Sequence, residues 1–181
     1  MQFEHTQLRD VMLIRPRVFT DARGFFMETW QRQKFGAAGI GANFVQENHS
    51  RSTCGILRGL HYQNPHAQAK LVRVAVGEVF DVLVDLRQES DTFGLWEGFR
   101  LDAHKHEMLW VPAGFAHGFL TLSERADFIY KVTEFWSPEA EQTLLWNDPA
   151  LNIDWPLPAA DIMLNDKDRA GLTFDTCPKF A

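Results

Sequence analysis

Between Gly55 and Asn147 the chain alternates short apolar runs with Gly, Pro, Asn and Asp, with no amphipathic helix between them. Lys70–Val76 and Glu78–Leu86 flank Gly77 and read as adjacent strands. Further strand-like runs cover Trp96–Leu101, Met108–Val111, His117–Leu122, Asp127–Trp136 and Gln142–Trp146. Many short strands at this spacing predict a sandwich or barrel rather than a doubly wound sheet. Thr29–Phe35, closed by Gly36, predicts a short helix. The Pro-rich tail after Pro149 predicts irregular chain with one helical turn near Asp161–Leu164. The expected fold is mainly β: an antiparallel jelly-roll barrel with short helical decorations. With no linker, repeat or composition break, a single domain over 1–181 is expected.

Strand phase adds chemistry, because residues two apart share a face. Lys70 is in phase with Val72, Val74 and Val76, while Leu71 and Arg73 lie opposite. Phe128, Tyr130, Val132, Glu134 and Trp136 share one face, and Lys131 and Thr133 the other. His61 and Gln63 are in phase within the run R-G-L-H-Y-Q from Arg58 to Gln63. If the Val-rich faces are interior, Lys70, Tyr130 and Trp136 point inward. The two aromatics also suit a plain core. A lysine is seldom buried unless it is paired or needed, the alternative being a side chain that snorkels to the barrel rim. An imidazole moves protons near neutral pH, and an ammonium holds developing negative charge, so the pair suggests a reaction site.

Composition narrows the function. The formal charge of −6, with no long basic stripe, argues against a nucleic-acid binder. An anionic ligand therefore needs a local cluster of Arg and Lys. Two cysteines, Cys54 and Cys177, are too few for a disulfide scaffold and fit a reducing compartment. The N-terminal residues lack an apolar signal region, and no apolar run approaches a membrane span. A cytoplasmic protein without membrane association is expected.

Pro112-Ala-Gly-Phe-Ala-His117 has the P-x-G-x-x-H form of the second motif of cupin barrels, in which the turn aims the histidine inward. The first-motif counterpart, His61-Tyr62-Gln63, carries Gln where metal-binding cupins place a second imidazole. That leaves a poor transition-metal site, so no metal is expected. His104, His106 and Glu107 partly mimic a first motif but lack its spacer, and they lie in the polar run D-A-H-K-H-E, which reads as a solvated loop.

Taken together, these residues resemble the dTDP-4-dehydrorhamnose 3,5-epimerases, cupin-type enzymes of rhamnose biosynthesis. The likeness runs through F-T-D-A-R-G-F-F-M-E from Phe19 to Glu28 and F-V-Q-E-N-H-S from Phe44. It continues through R-G-L-H-Y-Q, the run from Lys70 to Arg87, W-V-P-A-G-F-A-H-G-F from Trp110, F-I-Y-K from Phe128, S-P-E-A-E from Ser137 and W-N-D from Trp146. The resemblance implies a cofactor-independent epimerase that inverts C3 and C5 of a dTDP-linked 4-keto-6-deoxyhexose. Both carbons flank the C4 ketone, so deprotonation gives an enolate.

By the same resemblance His61 is the base, Tyr130 the acid on the opposite face, and Lys70 the partner of the C4 oxygen. Asp168, in N-D-K-D, orients His61, with Asp166 as a nearby competitor, and Lys167 contacts substrate. Arg23, Arg58 and His117 match anion-binding positions, and arginine suits a diphosphate. Glu28, Gln46, Glu47, Asn48 and Glu141 match other substrate-contacting positions, some through backbone atoms. Trp136 falls where the family stacks thymine. The family also implies a homodimer whose exchanged N-terminal strands carry Arg23 and Glu28 to the neighbouring site. The rivals are a single-site 3- or 5-epimerase of another dTDP-deoxysugar pathway and a metal-dependent cupin oxygenase or isomerase using His104, His106, Glu107 and His117.

Overall fold

A computed structural model describes residues 1–181. The first strands are β1 (Gln2–His5), β2 (Met12–Arg15), β3 (Val18–Asp21) and β4 (Gly24–Met27), followed by the helix α1 (Arg32–Ala37). Then come β5 (Gln46–Thr53), β6 (Leu57–Gln63), β7 (Lys70–Val76), β8 (Glu78–Asp85), β9 (Trp96–Asp102) and β10 (Met108–Val111). The last strands are β11 (Phe115–Thr121), β12 (Arg125–Val132) and β13 (Glu141–Thr143), before a 3-10 turn at Ala159–Asp161 and the helix α2 (Asp166–Arg169). All strand pairing is antiparallel, in a six-stranded sheet β1-β2-β10-β7-β12-β5 and a five-stranded sheet β13-β6-β11-β8-β9; β3 and β4 pair only with each other.

The two sheets enclose a core of Val72, Val74, Leu109 and Phe128 from one side and Val79, Leu83, Phe115 and Phe119 from the other. Both outer faces are covered as well. Helix α1 brings Phe35 onto Ile14, Leu71 and Met108 behind the larger sheet, while the tail brings Leu151 and Cys177 onto Leu60, Val82 and Val84 behind the smaller. Burial on both faces explains why V-L-V in β8 reads as a continuous apolar run rather than an alternation.

The strand readings at Lys70–Val76 and Met108–Val111 match β7 and β10, but several ends move. β12 stops at Val132, so Glu134 and Trp136 are not on it, and Trp136 is 56% exposed rather than buried between the sheets. Val76, read as interior, is also exposed, because it sits at the turn end of β7. The first helix starts three residues late, where Gln31 caps the backbone of Lys34. The helical turn of the tail ends at Asp161, and α2, capped by Asn165, is additional.

Two glycines shape the centre of the smaller sheet. Gly59 in β6 and Gly118 in β11 face one another so closely that a Cβ on Gly59 would lie 2.6 Å from the Gly118 Cα. Gly59 also has φ of +131°, a conformation natural to glycine alone. The pairing shifts register there, and His61 comes directly opposite His117.

Candidate active site

A cavity of about 480 Å³ opens between the sheets. From the sequence-read residues, Gln46, Asn48, Arg58, His61, Lys70, His117, Tyr130, Trp136, Glu141, Lys167 and Asp168 line it. The exceptions are Arg23, Glu28 and Glu47. Arg23 lies in the β3–β4 turn, 90% exposed at its side chain and bound to Asp21. Glu28 pairs with Lys34 at 2.7 Å. Glu47 points to the far side of β5 and pairs with Lys131.

His61 enters from β6 and is held from behind by the tail. Its Nε2 lies 2.6 Å from Asp168 Oδ1, and the Gly59 N–H donates to Asp168 Oδ2 at 3.0 Å. The short helix α2 exists to present this carboxylate: Asn165 caps it by accepting from the Asp168 N–H at 2.7 Å, leaving Asp168 1% exposed and Asp166 at the surface. The competition between the two aspartates is thereby resolved. Burial pushes the Asp168 carboxyl up, but the hydrogen bond and charge of His61, with the Gly59 N–H and Lys167, hold it below the ordinary carboxylate value. An ionised Asp168 accepts a hydrogen bond from the Nε2–H and leaves Nδ1 as the ring nitrogen with a free lone pair.

Lys70 comes from the opposite sheet, at the first position of β7, and is 7% exposed. Its ammonium reaches across to donate to the His61 carbonyl at 3.3 Å. Burial lowers its pKa to about 8, against the opposing pull of Asp81 and Glu141. Tyr130, also from that sheet, is raised by burial and by Glu141 and lowered by Asn48 and Arg58. Imidazole and phenol thus enter from facing sheets.

Asp81 is the functional residue that sequence reading passed over. It is fully buried on β8, and its oxygens lie 3.1 and 2.9 Å from His117 Nε2. Burial lowers the His117 pKa, with Lys70 and His61 acting the same way, while Asp81 pulls it up. The available signal was an acid in phase with Val79 and Leu83, the same kind that marked Lys70. Gln63 also gains a clear role. Its amide donates to the carbonyls of His66 and Phe135 and accepts from the Ser137 N–H, which fixes the loop that carries Trp136.

At the mouth, Lys167 and Glu141 pair at 2.8 Å, and Arg58 donates to the Ser52 hydroxyl and the Arg51 carbonyl. No group of three or more His, Cys, Asp or Glu side chains is arranged to hold a metal ion. In the D-A-H-K-H-E turn, Asp102 accepts from the His104 and Lys105 N–H groups and His106 packs on Phe25. The arrangement suits proton abstraction beside a carbonyl: an oriented imidazole, a phenol across the cavity and a buried ammonium between them.

The sequence model of dTDP-4-dehydrorhamnose 3,5-epimerase matches residues 5–176. A Pseudomonas aeruginosa dTDP-4-dehydrorhamnose 3,5-epimerase is 55% identical over 175 residues, 96% of each chain. The crystal structure of the enzyme of that name from Elizabethkingia anophelis superposes with a TM-score of 0.93 at 46% identity, over 97% of each chain. A dTDP-6-deoxy-D-glucose-3,5-epimerase from Legionella pneumophila, solved in complex with dTDP-4-keto-L-rhamnose, gives 0.94 at 45% identity, covering 98% of this chain and 94% of its own.

Proposed function

The chain belongs to the dTDP-4-dehydrorhamnose 3,5-epimerase family, and from it we propose that a single cupin-like domain inverts C3 and C5 of dTDP-4-dehydro-6-deoxy-D-glucose in dTDP-L-rhamnose biosynthesis. His61 Nδ1 takes the proton from each carbon in turn, while Asp168 holds the ring and stabilises the imidazolium. Electrons from the broken C–H bond move to the C4 oxygen, where Lys70 meets the enolate charge. Tyr130 returns a proton from the opposite face, which inverts the centre. The observation that carries this reading is the His61–Asp168 pair facing Tyr130 across a cavity that also contains Lys70.

The diphosphate falls to Arg58 and His117, and the thymine to Trp136, whose exposed indole offers a stacking face. Gln46, Asn48, Glu141 and Lys167 line the remaining wall, and Glu47 contributes through its backbone. Arg23 and Glu28 act in trans. The β3–β4 hairpin, with Phe19, Phe25 and Phe26 exposed, reaches a neighbouring copy in a homodimer. Sedimentation at assay concentration giving the mass of one chain would overturn that assembly. The two free cysteines agree with a cytoplasmic enzyme, and dTDP-rhamnose made there would serve a cell-surface polysaccharide such as lipopolysaccharide.

The decisive experiment is turnover in D2O with product analysis. Deuterium is expected at both C3 and C5. Label at one carbon alone would replace the 3,5 assignment by single-site epimerisation.

A further inference from the structure

Strand β5 contains no apolar residue that could pack into the core: it reads Q-E-N-H-S-R-S-T. Its alternation turns Gln46, Asn48 and Ser50 to the cavity and Glu47, His49 and Arg51 outward. The register sets Asn48 directly across from Tyr130 and Gln46 across from Val132, the last residue of β12 before the loop that carries Trp136. The Trp136 N–H donates to Gln46 Oε1 at 3.2 Å. The Gln46 amide then donates to Asn48 Oδ1 at 2.9 Å. With its oxygen engaged, Asn48 keeps its NH2 free beside Tyr130, its cross-strand partner on the same cavity wall, and it acts to lower the Tyr130 pKa. Both hydrogen bonds therefore run in one direction, from the loop that carries Trp136 to the residue across the ladder from Tyr130.

We propose that Gln46 and Asn48 are positioning residues that couple occupation of the Trp136 platform to the acid strength of Tyr130. The proposal rests on the reading of Tyr130 as the acid and Trp136 as the nucleoside platform, and it adds a connection between them. An acid that gives up its proton becomes a phenolate, and an N–H aimed at its oxygen stabilises that form. Hydrogen bonds in series polarise one another, so fixing the first donor strengthens the last. Trp136 is exposed and mobile in principle only through its loop, which Gln63 pins on one side and Gln46 on the other. A base stacked on the indole holds the Trp136 N–H on Gln46 and, through Asn48, favours the Tyr130 phenolate. Arg58 on β6 favours the phenolate too, whereas Glu141 on β13 opposes it. His61 and Lys70 line the same cavity from β6 and β7, and His117 does so from β11.

The composition allows a direct test without turnover. The chain has two tyrosines. Tyr62 is buried, donates to the Pro178 carbonyl at 2.8 Å, and has its ionisation driven far above the ordinary phenol value by burial. Tyrosinate absorbance in the folded protein therefore reports Tyr130, with Tyr130→Phe as the blank and circular dichroism checking the fold at each pH. Thymidine is the probe, because it offers the base without the diphosphate charge.

Asn48→Ala is expected to raise the Tyr130 midpoint by roughly one pH unit, the value of one hydrogen bond to a charged group. Saturating thymidine should lower the midpoint in the wild type and leave it unmoved in Gln46→Ala, although indole quenching still reports binding. An Asn48→Ala midpoint equal to that of the wild type would overturn the relay, as would a thymidine shift that survives in Gln46→Ala. If Asn48→Ala does not fold, Asn48→Ser keeps the same expectation with a weaker donor. Failure of the acid assignment is a separate result: Tyr130→Phe turning over at the wild-type rate would remove the acid role whatever the titration shows.

Discussion

Two carboxylate–imidazole pairs lie side by side, their histidines cross-strand partners in the smaller sheet, and their surroundings differ. His61–Asp168 joins a strand to the distant tail, and its imidazole side chain is 27% exposed to the cavity. His117–Asp81 joins neighbouring strands β11 and β8, with side chains 6% and 0% exposed. In the proposed mechanism the same chemical unit carries protons where one nitrogen meets the cavity. Where solvent is excluded, burial favours the neutral imidazole and the pair becomes a fixed wall. Asp81 also acts on Lys70, where with Glu141 it opposes the lowering of the ammonium pKa by burial.

The largest expected effect separates the two histidines. His61→Ala should reduce kcat by about 10³-fold or more, in the range of general-base removal, with dTDP affinity within a few-fold of wild type. His117→Asn should mainly raise KM. Steady-state kinetics with matched losses of kcat in both variants would dissolve the contrast.

Stability should separate the carboxylates the other way. Asp81→Ala strands a buried His117 N–H and should cost about 2 kcal/mol in urea unfolding. Asp168→Ala should cost less, since the cavity lets water reach His61. Equal losses would mean that both pairs are structural.

The smallest effect concerns pH. A buried lysine must be charged to meet an enolate, so kcat/KM should fall as pH rises through the Lys70 value of about 8. Asp81 holds that value up; Asp81→Asn should therefore move the alkaline limb to lower pH. A limb that stays in place in the pH–rate profile would detach Asp81 from Lys70.

Much of this was legible in the sequence because a buried polar residue interrupts an apolar rhythm. Lys70 broke the pattern of Val72 and Val74, and Tyr130 followed Phe128 in phase. Asp81 breaks β8 in the same way but lies in a strand with both faces buried, where no alternation marks the inner side. β5 carried no hydrophobic signal, since one face meets a polar cavity and the other is exposed. Trp136 misled because the apolar pattern of β12 continues past the point where Gln63 takes the chain away from the sheet. The short strands β1, β3 and β4 bury little, and the four-residue α2 is held by a cap and an ion pair rather than by periodicity.

The attachment of Asp168 to the tail has a consequence for biosynthesis. Every strand has been synthesised by Thr143, whereas the carboxylate that holds His61 follows more than twenty residues later. A nascent chain that stops short of Asp168 holds every strand but lacks the carboxylate partner of His61. Arrested translation after Asn147 should yield a product without the carboxylate partner of His61, so the proposed activity depends on a segment translated after every strand.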